Sequence, residues 1–176
     1  MNFHVIYLTG LSFRINGCQY GLMSEETQDF AIEAWHDDGR WSLASLPDPD
    51  DLTHIIDRLN RQQTNGGAVA LISIDDEFFL AIRVLGSHTK YFISDVTCAL
   101  DYEVAAEFLE IAELDQPEEE DEPLPAGDLD IFADLSMHSM ELSTLCDDAD
   151  LFPDEQIEAI ANRLGFGEQL TELLES

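Results

Sequence analysis

Ala68-Val69-Ala70-Leu71-Ile72-Ser73-Ile74 is almost continuously apolar, and Phe78-Phe79-Leu80-Ala81-Ile82-Arg83-Val84-Leu85 follows after only Asp75-Asp76-Glu77. The first run suits a central strand buried on both faces. The three acids suit a turn, and so short a connection requires antiparallel neighbours. Gly86-Ser87-His88 turns the chain again into Tyr91-Phe92-Ile93. These three strands read as the middle of an antiparallel sheet.

Upstream, Phe30, Ile32 and Ala34 alternate with Ala31, Glu33 and Trp35, the period of a half-buried strand. Asp37-Asp38-Gly39 is a turn signal, and Trp41 and Leu43 continue a second strand, completing a hairpin. A helix is expected to open at Leu46-Pro47-Asp48-Pro49-Asp50-Asp51, with Asp48 as N-cap and Pro49 in the first turn. Its apolar stripe is Leu52, Ile55, Ile56 and Leu59, with Arg58 and Arg61 near the C-terminal end where the helix dipole favours cations. Asn65-Gly66-Gly67 ends it. A second helix is expected from about Asp101 to Ala112, with Val104, Phe108 and Ile111 on its apolar side.

From Glu113 to Glu122 seven of ten residues are acidic, and Pro117, Pro123 and Pro125 interrupt any helix. Like charges in a block repel, so this reads as an acidic linker. Apolar spacing returns beyond Gly127. Leu129, Phe132 and Leu135 suggest a helical turn or two. Met140 to Cys146, Pro153 to Leu164 and Gly167 to Leu174 suggest helices, with Pro153 near a start and Gly165 as a stop. Residues 1–23 have no clean period and read as an N-terminal extension. The expected fold class is α+β: an antiparallel sheet of about five strands with two helices, followed by an acidic linker and a small C-terminal helical module. The expected divisions are 1–23, 24–112, 113–127 and 128–176.

The 176 residues include 38 Asp and Glu against 7 Lys and Arg, a formal charge of −31, yet 45% are hydrophobic, enough for a core. Residues 91–176 hold 25 of the acids and one base, Arg163. Such a charge repels phosphate backbones and disfavours direct nucleic-acid binding. It favours basic protein surfaces, in a salt-sensitive way. Cys18, Cys98 and Cys146 are odd in number and widely spaced, as expected of free thiols in a reducing cytoplasm. No apolar run nears the roughly 20 residues of a membrane span, and the N-terminus lacks a signal peptide's basic start. The expected location is the cytoplasm, away from membranes.

The motif search yields no catalytic, cofactor or metal residues. Close Cys/His pairs for zinc are absent, and the five histidines are scattered. His54, between acids and Arg58, reads as a surface residue. Asp148-Ala149-Asp150 starts like a calcium loop, but Pro153 stands where that loop needs glycine. Neither G-x-S-x-G nor a phosphate-cradling glycine motif occurs. Ser94-Asp95 reads as a turn or helix cap. Strand aromatics such as Trp35, Trp41, Phe78, Phe79, Tyr91 and Phe92 read as core rather than base-stacking platforms, which want basic neighbours. Asp75, Asp76 and Glu77 are the carboxylates on which a hydrolase reading would rest. With so many acids, closeness of two of them carries little information.

Several stretches taken together resemble a known family. They are Asp75-Asp76-Glu77-Phe78-Phe79, Tyr91-Phe92-Ile93-Ser94-Asp95 with Ala99-Leu100, the acidic run, Pro125-Ala126-Gly127-Asp128-Leu129-Asp130 and Ala161-Asn162-Arg163-Leu164-Gly165-Phe166-Gly167. From about Gln28 onward the chain resembles the bacterial tRNA adenosine deaminase-associated proteins. The resemblance implies association with a tRNA adenosine deaminase as partner, in an accessory role. The residues agree that the chain is not itself such an enzyme. Zinc deaminases need H-x-E and P-C-x-x-C, and neither is present. The residues expected to meet the partner are Glu118, Glu119, Glu120, Asp121, Glu122, Asp128, Asp130 and Asp134. The alternative is an acidic nucleic-acid mimic that inhibits another basic protein.

Overall fold

The structure, a computed structural model, describes residues 29–62 and 64–176. The expected extension over residues 1–23 and Cys18 lie outside the described residues.

Strands β1 (Phe30–Asp37) and β2 (Arg40–Leu46) form the expected hairpin. Its tight turn sets Asp38 and Gly39 at φ 47° and 78°, the positive values that a two-residue turn matching strand twist demands. Helix α1 (Leu52–Arg61) starts later than the sequence suggests. Asp51, not Asp48, is the N-cap, and its carboxylate accepts from the His54 N–H at 3.0 Å. Asp48 instead closes a turn, its carbonyl accepting from the Asp51 N–H. His54 is exposed, as expected of a surface residue.

Strands β3 (Ala68–Ile74), β4 (Phe78–Leu85) and β5 (His88–Ile93) are the predicted centre. All seven residues of β3 and seven of eight in β4 are buried. Asp95 caps a 3-10 turn, Val96–Leu100, by accepting from the Thr97 N–H at 2.9 Å. The second helix, α2 (Glu103–Ile111), is therefore shorter than expected. A two-residue strand, β6 (Ala126–Gly127), then joins β5, so the antiparallel sheet has six strands in the order β2-β1-β3-β4-β5-β6 rather than about five.

That sixth strand falls inside the stretch read as an acidic linker. Residues 113–127 are fastened at several points. The Gln116 amide donates to the Ala106 carbonyl at 3.1 Å, and the Leu124 carbonyl accepts from the Val96 N–H at 2.9 Å. Gly127 has φ 98° and lies so close to Tyr91 that any Cβ would strike the Tyr91 carbonyl, so no other residue fits there.

Helices α3 (Ser139–Cys146), α4 (Pro153–Leu164) and α5 (Gly167–Glu175) complete the chain. Pro153 begins α4, and Gly165 ends it in the left-handed conformation, as the sequence predicts. Only a short 3-10 turn, Ala133–Leu135, forms where Leu129, Phe132 and Leu135 suggested more. The core lies in two layers, one on each face of the sheet. Ala68, Ala70, Ile72 and Ile74 of β3 join α1 and α2. Val69 and Leu71 join Ile157, Ile160, Phe166 and Leu170 from beyond residue 128. A strand apolar on both faces needs cover on both, and α1 and α2 supply one side only. Each fully buried Leu, Ile or Phe in either layer contributes about 1.5–3 kcal/mol.

Candidate functional site

Antiparallel pairing decides which turns share an end of the sheet. Phe30 pairs with Ser73, Ala31 with Leu46, Ile74 with Phe78, and Leu80 with Ile93. The start of β1, the β3–β4 turn and the exits of β2 and β5 therefore lie together. At the opposite end Asp37 pairs with Arg40, Leu85 pairs with His88, and Gly66 and Gly67 exchange backbone hydrogen bonds with His36.

Three helices begin at the first end. Pro49 and Asp50, just before α1, line a cleft with Ile74 and Asp75. The Tyr102 hydroxyl, at the N-terminus of α2, donates to the Asp75 carboxylate at 2.9 Å. Asp154, in the first turn of α4, shares a cleft with Asp76. α4 finishes at the other end, where the Trp41 indole N–H donates to the Leu164 carbonyl at 3.1 Å. The positive ends of three helix dipoles thus point at one end of the sheet, and acids there are favoured.

The charges follow. Three clefts of about 280, 670 and 400 Å³ open at the first end. Around them stand Asp29, Asp50, Asp75, Asp76 and Glu77 from the first half of the chain. Asp95, Asp147, Asp148, Asp154 and Glu158 come from the second. No Lys or Arg among the described residues lines any of the three. The crowding is felt by Asp76. Partial burial, followed by the fields of Asp154, Asp75, Glu77 and Asp29, lifts its carboxyl above the usual range.

Elsewhere carboxylates meet cations of the same chain. Arg58 of α1 grips Glu33, whose side chain is 1% exposed, through two donors. Arg83, 3% exposed, grips Asp134 through both terminal nitrogens, and one of these also donates to the Ile131 carbonyl at 2.8 Å. The hydrogen bonds from Arg83 hold the Asp134 carboxyl below its usual range. Lys90 meets Asp130 at 3.1 Å, and Arg163 meets Glu141 at 3.0 Å.

The eight residues expected to face a partner therefore divide. Glu118 to Glu122 are all exposed, and they lead directly into Pro123 and Leu124, which line the smallest cleft beside Asp76 and Glu77. The other three are occupied internally. Asp128 accepts from the Tyr91 N–H at 2.9 Å, extending the β5–β6 pairing, while Asp130 and Asp134 hold Lys90 and Arg83. None of the other acids at these clefts, Asp29, Asp50, Asp95, Asp147, Asp148, Asp154 and Glu158, was among the residues expected to meet a partner. Asp50 and Asp154 had a visible signal, their place at the start of a helix.

Neither thiol of the described residues is activated as a nucleophile. Cys98 and Cys146 are free thiols, and burial, reinforced by Asp95 and Asp147 respectively, pushes each up to about 12. Thiols held protonated are inert. The Tyr102 hydroxyl is raised as well, by burial and then by its bond to Asp75. Among the described residues, no group of three or more His, Cys, Asp or Glu is arranged to hold a metal ion. No helix there is long and apolar enough to cross a membrane.

Comparison with known proteins gives two matches. A family described as Rv3753c-like tRNA adenosine deaminase-associated protein matches residues 29–167. Protein Rv3753c of Mycobacterium tuberculosis is 33% identical over 169 residues, which covers 90% of this chain and 97% of that relative. No solved structure matches.

Proposed function

The chain belongs to the family of Rv3753c-like tRNA adenosine deaminase-associated proteins, and from that premise we propose that it is a non-enzymatic accessory or regulatory protein that docks on the basic surface of a tRNA adenosine deaminase. The observation that carries this reading is the unneutralised end of the sheet. An enzyme that binds tRNA needs Lys and Arg on its surface. An end with carboxylates from both halves of the chain, and no described Lys or Arg in its clefts, is complementary to such a surface. The exposed run Glu118 to Glu122 extends the same field. Asp128, Asp130 and Asp134 would serve the fold rather than the contact.

Calorimetry of the purified chain with the tRNA adenosine deaminase encoded in the same genome tests this. Binding should be detectable at low salt and weaken as salt rises, because the field decays over about 8 Å at physiological ionic strength. No binding at either salt ends the reading. Deleting residues 118–122 then separates the run from the sheet end, and an unchanged affinity would remove the run from the interface.

The raised carboxyl of Asp76 inside a cleft gives a second reading a foothold, that of a carboxylate-dependent hydrolase. Partial burial beside four other acids accounts for the shift without any catalytic task. Turnover of an ester or phosphodiester that vanishes in Asp76→Asn would favour this second reading.

A further inference from the structure

The largest of these three clefts, about 670 Å³, is more than a gathering of acids. Phe30 of β1 and Leu173 and Leu174 of α5 give it an apolar wall, backed by the buried Ile32 and Leu46. Leu174 is 41% exposed, a large apolar side chain open to water. Carboxylates of Asp29, Asp76, Asp154 and Glu158 border that wall, with no Lys or Arg among the described lining residues. The volume falls within the roughly 300–1,000 Å³ of ligand-binding clefts.

Apolar walls lower the local dielectric, so the bordering carboxylates attract a cation more strongly than acids in open water do. The side chains that satisfy both features have an apolar stem and a cationic head, as Lys and Arg do when they lie along apolar surface. A second copy of this chain is a poor occupant, since it would set −31 against −31. An uncharged apolar segment would leave the rim unmatched. We propose that this groove takes a cationic amphipathic segment of the partner protein, with aliphatic side chains on the Phe30–Leu174 wall and Lys or Arg on the four carboxylates. The inference rests on the accessory reading above and specifies where the partner's basic surface enters.

Two labelled probes test it against the full chain by fluorescence anisotropy. One is an amphipathic Lys/Leu peptide of about 18 residues, long enough for five helical turns; the other has the same composition scrambled so that no apolar face forms. Leu174→Asp and Glu158→Lys are the variants, both at exposed positions, with thermal melting to verify the fold. The amphipathic peptide should bind about tenfold tighter than the scrambled one, and each variant should lose about tenfold, as for a contact at the centre of an interface. Equal affinity of the two peptides, or unchanged affinity in both folded variants, overturns the groove. The deaminase itself separates the two claims. If it binds the variants as tightly as the parent, the groove fails and the accessory reading survives. If the parent takes up the amphipathic peptide but never the deaminase, the deaminase reading fails and the groove's preference for cationic amphipathic segments stands.

Discussion

The two ends of the sheet treat charge in opposite ways. Toward the end carrying the Asp37–Arg40 turn, Arg83, Lys90 and Arg163 each hold a carboxylate of the same chain, and Arg58 does so at mid-sheet. At the end carrying the Asp75–Glu77 turn, carboxylates crowd one another. Helix direction explains much of this. α1 and α4 both start at the acidic end and finish at the other, and acids favour helix starts while bases favour helix ends. Asp154 stands in the first turn of α4, and Arg58, Arg61 and Arg163 stand in last turns. Two local preferences, summed over parallel helix axes, become a polarised molecule. Paired charges at the Asp37–Arg40 end stabilise the fold, whereas at the acidic end the charge of Asp76, held among its neighbours, costs the fold stability.

Removing a charge should therefore have opposite signs at the two places. The largest effect is expected for Arg58→Ala, which strands the buried Glu33 and should cost about 3–5 kcal/mol in urea unfolding. Asp134→Asn should cost about 2 kcal/mol, less than a fully buried pair because the Asp134 side chain is 56% exposed. Asp76→Asn should instead stabilise by about 0.5 kcal/mol, the scale of relieved surface repulsion. Asp130→Asn, at an exposed pair, should change stability by less than about 0.5 kcal/mol. A destabilised Asp76→Asn would break the comparison.

The dependence on pH sharpens it. The Asp76 carboxyl is raised in the folded protein, so its protonation favours the fold. That contribution is present below the unfolded value and is lost as pH rises through the folded one. Asp134 is lowered, so its contribution is present above the unfolded value and is lost as pH falls through the folded one. Acidifying from neutrality should first recover stability at Asp76, then remove it at Asp134. Denaturant melts of Asp76→Asn against pH should lack the first step and keep the second.

Most of the sheet was legible because its signals are local. The alternation of β1, the Asp38-Gly39 turn and the unbroken apolar run of β3 each specify one element from a few neighbouring residues. β6 was hidden because two residues have no period, and its reason lies across the sheet at Tyr91. A helical stripe such as Ile157 and Ile160 announces a buried face without saying what buries it. The candidate site was less legible still. Along the chain the acidity looks like a property of the second half; in space Asp29, Asp75 and Asp76 stand with Asp154, brought together by antiparallel turns and helix starts. Asp130 and Asp134 looked available because Lys90 and Arg83 are far away in sequence.

Two matched turns test the central claim most directly. Asp37-Asp38 and Asp75-Asp76 are paired acids at opposite ends of the sheet, with Asp38, Asp75 and Asp76 at positive φ, a conformation Asn tolerates. The double variant Asp75→Asn with Asp76→Asn and the double variant Asp37→Asn with Asp38→Asn remove the same charge. Calorimetry of each against the tRNA adenosine deaminase at one moderate salt concentration should show about a tenfold loss for the first and under about twofold for the second. Equal losses would mean that only net charge matters, and would contradict the account.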